Sequence, residues 1–390
     1  MSDLCLRGIT WNHSRAFPPL VAASQRYEEL HPQRLIQWRK RTLDEFGHGS
    51  LADLARTFDL LVIDHPMLGG VHRDQTLLDM RPHLSPPALA ELKADALGPC
   101  LQSYQYGNCL YALPIDAAAP AAAYRPDLLA AADRPLPQRW SELLELARAG
   151  LLCMPTFPAD LFLNFLGMCA SRRGIVLSPD QFLDGAASLR CLEELLELVS
   201  LMPEKIFALN PIAIYEMLAD SDRFAYCPFA YTYSNYSRPG FARYPVLFAN
   251  PVTLSDETPL RTILGGTGIA VSSYCREIEA AVDFCMFVAG AECQTHIYGI
   301  SGGQPASRAA WSNSLLNLAS NNFFERTRNS IESAIVRPRY AGYVTLQRDA
   351  GNILIARIRG ELTTEATLAG IEQLYRNSLA DNSIEMEQAR

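Results

Sequence analysis

The sequence predicts an α/β protein built as two lobes, with a chain that passes between them more than once. Three observations carry this expectation. At 390 residues the chain is too long for one compact core, so two domains are the default. Residues 4–63 read as strand, helix, strand, helix, strand, the pattern of a parallel sheet with crossover helices. An apolar strand over 108–115 is then interrupted by Pro114, and a β-rich segment returns at 262–272, ahead of a helical C-terminal third.

The elements follow in order. LCLRGIT at 4–10 is the first strand. A helix begins near Pro18, where a first-turn proline loses no hydrogen bond, and Pro32 closes it; Leu20, Val21, Tyr27 and Leu30 share its apolar face. Arg34–Arg41 is the second strand and 51–57 a short helix. Phe58–Ile63 is a near-continuous apolar run, as in a buried parallel strand. Asp64-His65-Pro66 ends it, and Gly69-Gly70 is expected to turn. Beyond Pro114, Ser141 is the expected N-cap of a helix over 142–149, with a strand at 151–155. Residues 159–202 are mostly helical, 212–219 a short helix and 224–230 a strand. Gly265-Gly266-Thr267-Gly268 reads as a tight turn feeding the strand Ile269–Ser272. Ile278, Ala281, Val282, Cys285 and Val288 then share one face of a helix over about 277–289. Further helices are expected over 342–358 and 363–378.

Composition removes several function classes. Hydrophobic residues make up 49% and charged residues 19% of the chain, an ordinary globular balance. The net charge of −8 speaks against nucleic acid as a partner, because phosphate binding needs clustered Lys and Arg. The one basic cluster, Arg34–Arg41, reads as a solvated strand end. No run of 18 apolar residues occurs, so no membrane insertion is expected. The ten cysteines include no CxxC pair and sit mostly in apolar segments, which predicts buried free thiols in a reducing compartment. The start, MSDLCLRGITW, has no basic, apolar or cleavage region of a leader. Together these give a cytoplasmic expectation for the chain.

Known catalytic patterns are missing: there is no GxSxG, HExxH, Walker lysine motif or GxGxxG after the first strand. The histidines have no metal-ligand spacing, so neither metal nor cofactor is expected. Binding is better supplied. Ligands gather at the carboxyl ends of strands in open α/β sheets, which singles out Asn12, His13, Ser14 and Arg15 after the first strand and Asp64 and His65 after the third. The 12–15 loop is read either as a carboxylate or phosphate site at a helix start or as plain capping by Ser14. Asp64 and Asp116 are candidate acceptors for hydroxyl groups. Tyr231, Tyr233 and Tyr236, interleaved with Thr, Ser and Asn just past a strand, offer an apolar face and a polar edge to a small amphipathic ligand.

Gly265-Gly266-Thr267-Gly268-Ile269-Ala270-Val271-Ser272, the helix with Ala280-Ala281 and Phe284, and Gly302-Gly303-Gln304-Pro305-Ala306-Ser307-Arg308 resemble the family 1 extracellular solute-binding proteins of ABC transporters. The resemblance extends through Asp59–Ile63, Leu110–Asp116, Tyr124-Arg125-Pro126-Asp127-Leu128-Leu129, Trp140-Ser141-Glu142-Leu143, Arg337-Pro338-Arg339-Tyr340 and Glu361-Leu362-Thr363. It implies a two-lobed, type II periplasmic-binding-protein-like fold with a hinge and an interlobe ligand cleft. The expected division is 1–113 with 262–307 for one lobe and 114–261 with 308–390 for the other. Carried over by position, it implies Asn12, His13, Asp64, His65 and Asp116 as ligand-facing, Phe229, Tyr231 and Tyr233 as stacking aromatics, Gly265, Gly266 and Gly303 at the hinge side, and Arg337 and Tyr340 closing the cleft. The implied function is non-catalytic binding of a small polar solute, a carbohydrate or small organic acid, by a monomer that serves an ABC permease. Such a protein would be periplasmic if its leader has been trimmed. The alternative is a cytoplasmic metabolite sensor, or an enzyme using Asp116, His13 or His65 as acid or base.

Overall fold

The computed structural model describes residues 4–48, 50–203 and 209–380. In chain order the strands are β1 (Leu4–Trp11), β2 (Arg34–Arg41), β3 (Leu60–Ile63), β4 (Gln105–Tyr106), β5 (Cys109–Leu110), β6 (Leu113–Ala118), β7 (Pro120–Tyr124), β8 (Tyr226–Tyr231), β9 (Leu247–Ala249) and β10 (Gly265–Val271). The first sheet has the order β2-β1-β3-β10-β6, the second β8-β7-β9, and β4 and β5 form a hairpin.

β1 is parallel to both β2 and β3, as the strand–helix–strand reading requires. β10 arrives from far along the chain and inserts antiparallel between β3 and β6. All four residues of β3 are buried, which explains its unbroken apolar run. The helix Phe17–Leu30 packs on this sheet side, with Tyr27 between Phe284 and Phe287 of the helix Ile278–Ala289. In the second sheet β7 pairs antiparallel with β8 and with β9. The helices Phe323–Glu332, Pro158–Ser171 and Tyr343–Ile358 belong to this lobe, the last two packed on each other. Ten cysteines are free, eight of them buried, with Cys5 exposed and Cys109 half-buried.

Five local expectations change. Pro114 lies inside β6, opposite Gly268, and the chain changes sheets only at Ala119, between β6 and β7. β6 is an edge strand, where a missing N–H costs little. Gly69 and Gly70 lie in a helix, Leu68–Asp74, instead of a turn. Gly69 is there for close approach: its N–H donates to the Arg339 carbonyl at 2.6 Å, and a Cβ would stand 2.4 Å from the Ala341 nitrogen. Gly265–Gly268 is the first half of β10 and no turn. The helix expected over 142–149 starts two residues earlier, at Trp140, with Arg139 in place of Ser141 at its cap, and Glu142 reaches back to the Arg139 N–H. The expected strand at 151–155 amounts to one bridge, Leu152 with Tyr226.

Candidate functional site

Where β6 of one sheet becomes β7 of the other, Gln304 ties the lobes together. Its side-chain nitrogen donates to the Ala117 carbonyl (2.7 Å) and to Thr232 Oγ1 (3.0 Å), and its side-chain oxygen accepts from the Ser234 N–H (3.0 Å). Its own carbonyl accepts from the Ala117 N–H. Beside this tie lies a cleft of about 380 Å³. One wall comes from the first lobe, with Trp11, Arg15, Asp64, Met67 and Gly265–Thr267; the other comes from the second, with Phe157, Asp160, Asn210, Tyr231 and Tyr233.

Two internal ion pairs frame the cleft. Arg15 Nε donates to Asp116 Oδ2 at 2.8 Å, an Nη group donates to Oδ1, and the other Nη donates to the Thr232 carbonyl at 2.6 Å. Its guanidinium also sits 4.8 Å from the centre of the Tyr233 ring. Both side chains of the pair are almost fully buried within the first lobe, and it is the bond to Thr232 and the contact with Tyr233 that carry Arg15 across to the second. Arg337 makes a two-pronged bond to Asp64, 2.7 Å to each oxygen. Burial alone would raise the Asp64 carboxyl, but the Arg337 charge overrides it and holds Asp64 down to about 2.

The aromatic wall is continuous. Trp11 stacks on His13, with centroids 5.1 Å apart, and meets Phe46 and Tyr233 at 6.0 and 6.3 Å. Gly265 lacks the side chain that would collide with Tyr231: a Cβ there would lie 2.5 Å from the ring. Among the described residues, Trp11 Nε1, the Tyr231 hydroxyl and Arg337 Nε are buried without a hydrogen-bond partner. Asp160, in the first turn of Pro158–Ser171, makes no ion pair or hydrogen bond among the described residues. Burial pushes its carboxyl up to about 7, with Arg337 pulling against the rise.

Of the sequence-predicted residues, Arg15, Asp64, Tyr231, Tyr233, Gly265, Gly266 and Arg337 line this cleft. The others do not. Asn12 is exposed and its N–H continues the bonding to β2 at Arg41. His13 lies behind Trp11, and its Nδ1 accepts from the Arg15 N–H at 3.0 Å. Burial, then the charge of Arg15, lowers His13 to about 4. Ser14 is half-buried, and the helix that follows has no side-chain cap. His65 is fully buried, and burial with Arg337 nearby lowers it to about 4. Asp116 is sealed against Arg15. Phe229 is core within β8. Gly303 packs on Tyr298, and Tyr340 turns toward the C-terminal helix, bonding Ser378 at 2.7 Å.

Phe46, Met67, Phe157, Asp160, Asn210 and Gln347 also line the cleft and were not singled out by the sequence. Asn210 caps the helix Pro211–Asp220, its side chain accepting from the Ala213 N–H. Asp160 looks like any first-turn acid. Phe157 before Pro158 was the available signal: an exposed aromatic directly ahead of a helix start.

No protein-family model matches the chain, and no curated protein matches it. Solved structures do. Maltose-bound MalE3 of T. maritima is 16% identical over 95% of this chain and 98% of that one, with a TM-score of 0.79. The GacH receptor of Streptomyces glaucescens, solved unliganded and with acarbose, is 16% identical over 97% and 98%, with a TM-score of 0.80. The sugar-binding protein MalE from Xanthomonas citri is 15% identical over 98% and 99%, with a TM-score of 0.79. Along nearly its whole length, the chain therefore has the two-lobed, hinged fold of the periplasmic binding proteins.

Proposed function

We propose that the protein binds a small carbohydrate in the interlobe cleft, without catalysis, as the substrate-binding component of an ABC transport system. The observation that carries this reading is the pairing of an aromatic wall, Trp11, Phe46, Phe157, Tyr231 and Tyr233, with scattered polar groups, Asp160, Asn210 and Gln347. Sugar rings present apolar faces to aromatics and hydroxyl edges to carboxylates and amides. The named structural neighbours, which bind maltose and acarbose, support the same class. An organic acid is less well served, because Arg15 and Arg337 already hold Asp116 and Asp64. The candidate acid–base groups favour binding over turnover: Asp116 is locked in its ion pair, and His65 is sealed from the cleft. A function alongside a permease, as a monomer, belongs to the same reading.

Closure of the lobes around a ligand needs differential affinity of about 5.5 kcal/mol to move a population from 1:99 to 99:1. Two stacked aromatic faces and several hydrogen bonds supply that order. Titration calorimetry against a panel of mono- and disaccharides and of small organic acids is the test. A carbohydrate is expected to bind, and Tyr231→Ala to weaken it tenfold or more, both proteins being compared at a temperature at which each is folded. Binding of organic acids alone, or a Tyr231→Ala protein with unchanged affinity, would remove the assignment.

A further inference from the structure

Among the charged side chains on the cleft wall, one stands apart. Arg15 is held by Asp116, Arg337 by Asp64, and Arg348 by Asp349 at 2.8 Å. Asp160 alone has no ion-pair or hydrogen-bond partner among the described residues, and it lies on the same wall as Phe157, Asn210 and Tyr231. The groups that face it are Arg337, whose charge is already shared with Asp64, and the phenols of Tyr231 and Tyr233. Burial keeps both phenols protonated at neutral pH. A ligand that fills the cleft removes remaining water from Asp160. A neutral ligand then leaves an unbalanced carboxylate, an anionic one adds repulsion, and a cationic one completes an ion pair.

We propose, resting on the carbohydrate reading above, that Asp160 makes the cleft select a sugar carrying a cationic amine over its neutral and anionic counterparts. The hydroxyls and ring face of such a ligand use the aromatic wall, and its ammonium group meets the Asp160 carboxylate. The preference depends on the ionised form of Asp160. Burial pushes that group up to about 7, so it is mostly ionised at pH 7.5 and mostly protonated at pH 5.5. The selectivity for the amine therefore falls as pH falls.

The test uses the full chain and three matched probes, glucose, glucosamine and glucuronate, together with their β-1,4-linked disaccharides, by titration calorimetry. At pH 7.5 the amino sugar of a matched set is expected to bind at least tenfold more tightly than the neutral one, with the uronate weakest. Lowering the pH to 5.5 reduces the amine's affinity at least fivefold and does not weaken the neutral sugar, whose unbalanced carboxylate is relieved by protonation. In Asp160→Asn, a shape-preserving change, the amine's advantage over the neutral sugar shrinks below twofold at both pH values. Equal affinities for amine and neutral sugar, or an advantage that survives Asp160→Asn, overturn the selectivity and leave the carbohydrate reading standing. Binding by no member of the panel removes both.

Discussion

His65 is a histidine kept neutral by its surroundings. It is fully buried, with Asp64 Oδ1 3.2 Å from its Nδ1 and Arg337 beyond. Burial first, and the Arg337 charge second, lower it to about 4 from the ordinary 6.5. The unfolded chain therefore takes up a proton at His65 near pH 6.5, but the folded chain only near pH 4. Stability from this group is complete above 6.5 and is lost as pH falls toward 4, by about 3 kcal/mol across the window. Urea denaturation at pH 8, 6 and 4.5 is expected to show that loss in the parent protein. A His65→Gln protein should have a flatter profile, and profiles of equal slope would show that the pH dependence arises elsewhere. Asp64 titrates only below this range, because its folded value near 2 confines its effect to pH 4 and lower. Both residues stood out in the sequence as the residues after a buried strand, but their roles did not. Nothing in Asp64-His65-Pro66 shows that an arginine 273 positions later closes on the aspartate.

Among the elements, β10 is the most constrained. Gly266 has φ +107° and lies opposite Ala117 of β6, where a Cβ would stand 2.2 Å from the Asp116 carbonyl oxygen. An alanine there meets both a disfavoured backbone region and a backbone collision, so Gly266→Ala is expected to cost more than about 2 kcal/mol in chemical denaturation. A loss below half a kilocalorie per mole would mean that β6 and β10 separate easily. From the sequence alone these glycines read as a turn, since Gly-rich tetrapeptides usually are one. What it lacked was β6, whose carbonyls approach so closely that side chains are excluded. Strands and helices with local signals were recovered well: β2 spans 34–41 as expected, and the helix Ile278–Ala289 differs by one residue at its start. Elements whose identity depends on a distant partner were recovered poorly. The helix at Gly69 forms around the carbonyl of Arg339, and β6 runs through Pro114 because it is an edge. The cleft shows the same division. Tyr231 and Tyr233 were marked by their polar neighbours, whereas Phe157 and Asp160 reach the cleft only because the helix Pro158–Ser171 packs on Tyr343–Ile358.

For the whole molecule, the decisive arrangement is that the first sheet is not drawn from one stretch of chain: the strands of the second sheet lie between β6 and β10. The first sheet is finished by β10, which among the described residues is the strand that joins β3 to β6. A fragment ending at Ala118 lacks that link and is expected to show little fixed tertiary structure by near-ultraviolet circular dichroism. Adding a second fragment spanning 262–307 in trans should restore it; a cooperative melt from the first fragment alone would contradict this. The insertion of β10 also bears on how the chain is born. β6 leaves the ribosome about 150 residues ahead of β10. At synthesis rates of about 5–20 residues per second, that gap lasts on the order of ten seconds. Through that interval the facing edges of β3 and β6 carry unpaired N–H and C=O groups along apolar strands, a surface that pairs readily with other chains. The nascent protein is thus most exposed to aggregation midway through its synthesis, and a chaperone that shields strand edges would matter more to its yield than one acting after release.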